Sequence, residues 1–237
     1  ARDHEMTSFY TVERIKQVLH AAGKLGVTTI ISRGDQHIIR MLAEYRGEGG
    51  NLTWIAQTCP EMKNPERSIE DIVKGGARGC FIHGGYMDNL LANGRLGEIP
   101  SAIKTIRKAG LAAGVAGHDP RVFAWAEKNL DVDFYMCSYY NSMHRDENAE
   151  HRTGRPEWFL AEDRETMAAT INGLSKPAIH YKVMAAGRND PKEAFAYVAR
   201  HMRGGDGVCV GIFAKDKPDM LAEDVRLFDE SLGNQQR

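Results

Sequence analysis

The chain lacks an excess of charge of either sign: 31 Lys and Arg stand against 32 Asp and Glu, for a formal net charge of -1. No basic stripe interleaved with aromatics runs through it, which argues against a nucleic-acid partner. It also lacks an apolar run approaching the roughly 18–20 residues needed to cross a bilayer, so no membrane partner is expected. Cysteine is scarce. Cys59, Cys80, Cys137 and Cys209 are far apart, form no C-x-x-C pair and fall mostly in strand-like runs, which favours buried free thiols over a disulfide framework. A reducing compartment, the cytoplasm, is the expected location. The opening "ARDHEM" has no initiator Met, which leaves room for an exported form cleaved from a leader. Missing too are H-E-x-x-H, G-x-S-x-G, a P-loop and a glycine-rich dinucleotide fingerprint.

What is present is a regular alternation of helical and strand-like segments. "TVERIKQVLHAAGKLG" has apolar residues at helical spacing, Thr11 as N-cap and Gly26 as a stop, and runs into the strand "VTTIIS". The same order recurs to "GVCVGIF" and a final helix, predicting eight helices and strands at 27–32, 52–57, 79–83, 111–116, 133–138, 178–183 and 207–213. Strands separated by helices imply right-handed crossovers and a parallel sheet. Without a dinucleotide fingerprint at any strand end, the pattern favours a (β/α)8 TIM barrel over a doubly wound sheet. Its first strand is expected to be missing or irregular at the N-terminus, and residues 1–237 to form a single domain. The polar stretch 142–162, with Arg145, Arg152, Arg155 and Trp158, is too long for a simple connector and reads as a flap over the barrel mouth.

One strand poses a chemical question. In "PAIHYKVMAAGR" the residues Ile179, Tyr181 and Val183 share one face, leaving His180 and Lys182 on the other. In a barrel that second face points inward, towards the C-terminal mouth where barrel enzymes keep their chemistry. The remaining strand ends offer Arg33, Asp35 and His37, then Gln57 and Glu61, His83, His118 and Asp119, then Cys137, Ser138, Tyr140 and Asn141, with Arg188 and Lys215 later. Plain structural uses compete: Asp35 as an N-cap, His83 as a satisfied core imidazole, His118 in a turn before a helix start, Cys137 as a packed thiol. On the functional reading His83, His180, Lys182 and Asp35 are the catalytic candidates, with Arg33, Gln57, Tyr140, Asn141, Tyr181 and Arg188 binding substrate. His83, His118 and His180, with Asp35, could hold a divalent metal. Lys182 could alternatively form a Schiff base.

From about Gly79 to Leu227 the order of motifs resembles the aldo/keto reductase superfamily, a (β/α)8 fold. "CFIHGGYMD" is similar to the segment ending in the family's active-site histidine, which falls on His83. "GVAGHDP" takes the place of its "GVSN" segment and "VDFYMCSYYN" that of a strand ending in a Tyr-Asn pair. "PAIHYKVMAAGR" takes the place of the strand whose tyrosine stacks on nicotinamide, here Tyr181, and "KDKPDMLAEDVRLFDE" that of the loop and helix holding the nucleotide phosphate. The resemblance implies an NAD(P)H-dependent reductase, but most of the tetrad is unmatched. Ser32, Gly34 and Gln57 stand near the family's Asp, Tyr and Lys, and Ala116, Gly117 and Met136 replace its carboxamide-holding side chains. It also places Tyr181 inward, one residue out of step with the strand-parity reading.

Three functions therefore stand: a barrel enzyme using His/Lys acid–base or metal-assisted chemistry on a small carbonyl, sugar-like or carboxylate substrate; an NAD(P)H-dependent reductase with a rearranged proton donor; and an inactive binding barrel.

Overall fold

In the computed structural model, residues 2–59, 65–141 and 158–234 are described. Seven parallel strands, β1 (Thr29–Arg33), β2 (Thr53–Gln57), β3 (Gly79–Ile82), β4 (Ala112–Gly117), β5 (Phe134–Ser138), β6 (Ala178–Tyr181) and β7 (Gly207–Val208), lie in sequential order within one sheet. Ten α-helices accompany them among the described residues: α1 (Arg2–Phe9), α2 (Val12–Lys24), α3 (Gln36–Gly47), α4 (Pro65–Lys74), α5 (Gly84–Ala92), α6 (Ile99–Lys108), α7 (Pro120–Asn129), α8 (Ala161–Asn172), α9 (Pro191–His201) and α10 (Met220–Gly233). None is long and apolar enough to cross a membrane.

Alternation along the strands sorts side chains into two cores. Outward residues, among them Trp54, Cys80, Ile82, Val115, Tyr135, Cys137 and Ala178, pack beneath the helices. Inward residues form a second cluster built from strands alone: Phe81, Ala116, Phe134 and Met136, joined by Ile31, Ile55, Ile179 and Tyr181. Helices therefore cover one face only, and the sheet curls: Ile31 and Ile55 from its first strands share a cleft with Ile179 and Val208 from its last. This is the barrel the alternation implies, open between β1 and β7.

Strand boundaries shift slightly from the sequence expectation. β6 stops at Tyr181 because Lys182 takes a left-handed backbone, φ 57. β7 pairs over two residues rather than seven. The segment "GGYMDNLLA" forms α5, a helix the paired glycines had concealed. The flap reading of 142–162 falls mostly on residues 142–157, outside the described ones, and Ala161 already begins α8.

Inside the barrel, Gly114 faces the Phe134 ring so closely that an added Cβ would lie 2.5–2.8 Å from three of its carbons. Gly114→Ala must displace that ring from the inner core, with an expected cost of about 1–3 kcal/mol. Scanning calorimetry should show a lowered Tm; a variant as stable as the parent would contradict this packing.

Candidate functional site

The residues that follow the inner cluster along each strand define the mouth. Continued alternation puts Arg33, Gln57, His83, His118, Ser138 and Tyr181 on the inward side, with Arg33 directly beside Gln57 in the β1–β2 register and Ser138 beside Tyr181 in the β5–β6 register. His83 also caps α5. Its Nδ1 accepts the Tyr86 N–H at 3.2 Å, while its own N–H donates to Thr58 Oγ1 at 3.0 Å. An Nδ1 that accepts leaves the proton of the neutral ring on Nε2, so His83 presents a donor.

Opposite it lies a chain of three polar groups. Asp88, on α5 and 1 % exposed, accepts from His118 Nδ1 at 2.6 Å and from the backbone N–H groups of His118 and Asp119 at 3.1 and 3.3 Å. With Nδ1–H committed to the carboxylate, His118 Nε2 offers a lone pair, and the Tyr181 hydroxyl stands 3.3 Å from it. Burial, reinforced by the Asp88 charge, pushes the Tyr181 phenol well above its ordinary range, so it stays protonated and donates. Gly84 makes room for the group: a Cβ there would sit 3.2 Å from both His118 Cε1 and the Tyr181 hydroxyl. Gly84 and Asp88 are four residues apart and so share the helix face that looks at His118.

The parity reading of β6 is corrected by this geometry. His180 points outward into the helix layer and is fully buried. Its Nδ1 lies 2.9 Å from the Tyr139 hydroxyl and its Nε2 3.4 Å from Asp206. Asp206 is in turn held by Arg203 and by the Ala178 N–H. Burial alone would raise the Asp206 carboxyl, but the Arg203 hydrogen bonds outweigh it and hold the carboxyl below its usual range. A neutral imidazole satisfies both neighbours, accepting from Tyr139 and donating to Asp206. His83, His118 and His180 consequently do not converge as a metal site, and no three His, Cys, Asp or Glu side chains among the described residues are grouped to hold an ion.

Asp35 takes its structural role as N-cap of α3, accepting the Ile38 N–H at 3.0 Å, and pairs with Arg33 at 3.1 Å rather than joining the imidazoles. Tyr140 is buried rather than lining the mouth, where its hydroxyl accepts from Asn189 Nδ2 at 2.8 Å. The Asn141 N–H donates to Asp163 at 3.2 Å, and Arg188 stacks on Phe159 with its guanidinium 4.4 Å from the ring centre. These three pack the loops beside the mouth. Lys182 is half-buried at the turn after Tyr181, and burial pushes the Cys137 thiol well up, as suits a packed cysteine. Glu61 lies outside the described residues.

Asp88 is the residue that sequence reasoning missed. Its signal was an acid one residue after Met87 and two before Leu90 in "YMDNLL", which only the helical reading of that segment would have turned inward.

His180 predicts a pH effect on stability. Burial lowers its folded pKa despite Asp206, so the native ring stays neutral while the unfolded ring takes a proton below about pH 6.5. Stability is therefore lost as pH falls through that range. Asp224, raised to about 6 by burial, acts in the opposite sense. Chemical denaturation between pH 7.5 and 5 should show a flatter acid loss in His180→Gln than in the parent; equal slopes would contradict a neutral buried His180.

No sequence-family model and no curated protein matches the chain. Among solved structures, two from Pseudomonas aeruginosa assigned to the aldo-keto reductases superpose with TM-scores of 0.64 and 0.65 at 16 % and 14 % identity. They cover 94 % of this chain, and 82 % and 85 % of their own lengths. A structure described as QR15, an aldolase, superposes at 0.56 with 10 % identity over 95 % of this chain and 91 % of that one. At such identities the likeness is one of fold, and the chain shares the curled parallel α/β barrel of the aldo-keto reductase structures.

Proposed function

We propose that the protein is an acid–base enzyme that moves a proton on a small polar carbonyl or hydroxy compound, with Tyr181, His118 and Asp88 as its proton-handling chain. The observation that carries this reading is the Asp88–His118–Tyr181 alignment at the inward C-terminal ends of β4 and β6, the position where barrel enzymes act. When a substrate hydroxyl gives its proton to the Tyr181 oxygen, the Tyr181 proton passes to His118 Nε2. Asp88 stabilises the resulting imidazolium. In the reverse direction the imidazolium returns that proton as Tyr181 protonates the substrate oxygen. The Nε2–H of His83 would donate to the same oxygen as it gains charge. Arg33 and Gln57, adjacent at the mouth, would hold a carboxylate or hydroxyl on the substrate, and Lys182 adds positive charge beside Tyr181.

The inward Tyr181 also favours a second reading, a nicotinamide-dependent reductase. The surrounding donor set fits that cofactor poorly. Ala116 and Met136 belong to the apolar inner cluster and offer no side-chain partner for a carboxamide. Lys215 and Lys217, in the loop that would meet a nucleotide phosphate, are engaged by Glu5 and Glu223.

Proton NMR in D2O over a panel of small hydroxy-ketones, aldehydes and hydroxy acids tests the proposal without added cofactor. Exchange at the carbon next to the carbonyl is expected to accelerate, because Tyr181 and His83 donate to the carbonyl oxygen as it gains charge while solvent water takes the carbon-bound proton, and Tyr181→Phe should slow it by about 10²–10⁴-fold. Unchanged exchange in that folded variant, or turnover seen only with added NADPH, would overturn it.

A further inference from the structure

The turn that follows Tyr181 is strained. Among the described residues the non-glycine positions with positive φ are Lys182 at 57, Ala185 at 48 and Ala186 at 54, and all three lie between β6 and α9, with Gly187 at 82 beside them. In that left-handed region a Cβ crowds the backbone, so each such residue costs free energy and persists only where its surroundings hold it. The conformation changes which way the chain faces. Along β6, Ile179 points inward, His180 outward and Tyr181 inward. Continued, the alternation would put Val183 inward, next to Tyr181 on the mouth side. Left-handed Lys182 breaks it. Val183 is instead 1 % exposed in the core beneath the helices, and Ala185 joins it there. The place over the Tyr181 ring is therefore not filled by Val183.

One side chain ties this turn to the rest of the mouth. Asn189 Nδ2 donates to the Val183 carbonyl at 2.9 Å and to the Tyr140 hydroxyl at 2.8 Å, which uses both of its hydrogens, and the Asn189 backbone N–H reaches the Met184 carbonyl at 3.3 Å. Tyr140 is a fixed point, buried at the end of β5 with its ring against Phe159 at 5.4 Å between centres. Arg188 adds a second link, donating to the Ala185 carbonyl at 3.0 Å while it lies over Phe159. We propose that Asn189 is a positioning residue of the mouth: it holds the left-handed turn 182–187 and so keeps Val183 from closing over Tyr181. The inference rests on the reading of Tyr181 as the proton-handling hydroxyl, and it adds a second state of the same turn. With the Asn189 bonds made, a substrate oxygen has room to reach the hydroxyl. With them broken, the strand resumes its alternation, the strain at Lys182 is released and Val183 covers the ring. A substrate seated over Tyr181 excludes Val183 and so favours the open state.

The test compares the full chain with Asn189→Ala by NMR, with labelled Val methyls and Tyr rings. The parent should show no NOE between the Val183 methyls and the Tyr181 ring. In Asn189→Ala those NOEs should appear, amide exchange across 182–187 should speed up by about tenfold, and catalysed proton exchange in D2O should fall by about tenfold. Adding Ala186→Gly, which allows the left-handed backbone without a Cβ clash, should remove the NOEs and restore most of the rate, a rescue that general loosening of the loop would not give. Since a water can stand in for the lost amide, Asn189→Asp is a second variant. It keeps the shape, loses both donors and sets a carboxylate against the Val183 carbonyl, and it should bring Val183 to Tyr181 in the same way. Parent-like NOEs and amide exchange in both variants would overturn the inference and leave the role of Tyr181 standing. So would a loss that Ala186→Gly does not restore. Closure of Val183 in the variants of a parent that exchanges no substrate proton would uphold Asn189 and overturn the acid–base reading instead.

Discussion

A carboxylate taken out of water must find donors or lose several kcal/mol, and the mouth of this barrel is organised around one such group. Asp88 finds three donors, all at the end of β4: the His118 ring and the N–H groups of His118 and Asp119. That arrangement stitches α5 to the β4–α7 turn and fixes the His118 tautomer. Once Nδ1 is committed, the ring's remaining lone pair has one orientation, towards Tyr181. Gly84, one turn earlier on the same helix, keeps the approach open. A single buried charge thereby dictates the positions of groups from three separate elements.

The sheet then separates two polar systems that sequence proximity would confuse. Tyr181 and His180 are neighbours, yet strand alternation sends them to opposite faces. Tyr181 joins the inner face and His118. His180 joins Tyr139, Asp206 and Arg203 on the outer face, tying β5 and β6 to the turn before β7, where Arg203 also reaches the carbonyls of Leu174 and Lys176. His180, Tyr139 and the Asp206 carboxylate are buried and satisfied by one another and by Arg203, which suits a structural clasp. The inner group ends in half-buried Tyr181 at the barrel mouth, which suits chemistry.

Much of the architecture was legible in the sequence because it rests on local patterns. Thr11 caps α2, Asp35 caps α3, and apolar periodicity alone separates helix from strand. The facing of β6 was not legible from parity. Both faces of a barrel strand are buried, so the apolar set Ile179, Tyr181 and Val183 does not reveal which side is the interior. The inner core of Phe81, Phe134 and Met136 welcomes Ile179 and Tyr181, while the helix layer accommodates His180 because Asp206 lies 26 residues away to receive it. The resemblance that set Tyr181 inward matched the structure where the rule of alternation was applied to the wrong face. Asp88 escaped notice because Gly84 and Gly85 look like helix breakers, although here the first of them is the residue that admits the ring of His118.

The central claim, that Asp88 holds His118 in the form that can take a proton from Tyr181, makes a direct spectroscopic statement. In 15N-labelled protein near pH 7.5, long-range 1H–15N correlation should show the His118 ring protonated on Nδ1 with a free pyridine-like Nε2. In Asp88→Asn that preference should weaken. An Nε2-protonated ring in the parent, with Nδ1 unprotonated against Asp88, would contradict the account.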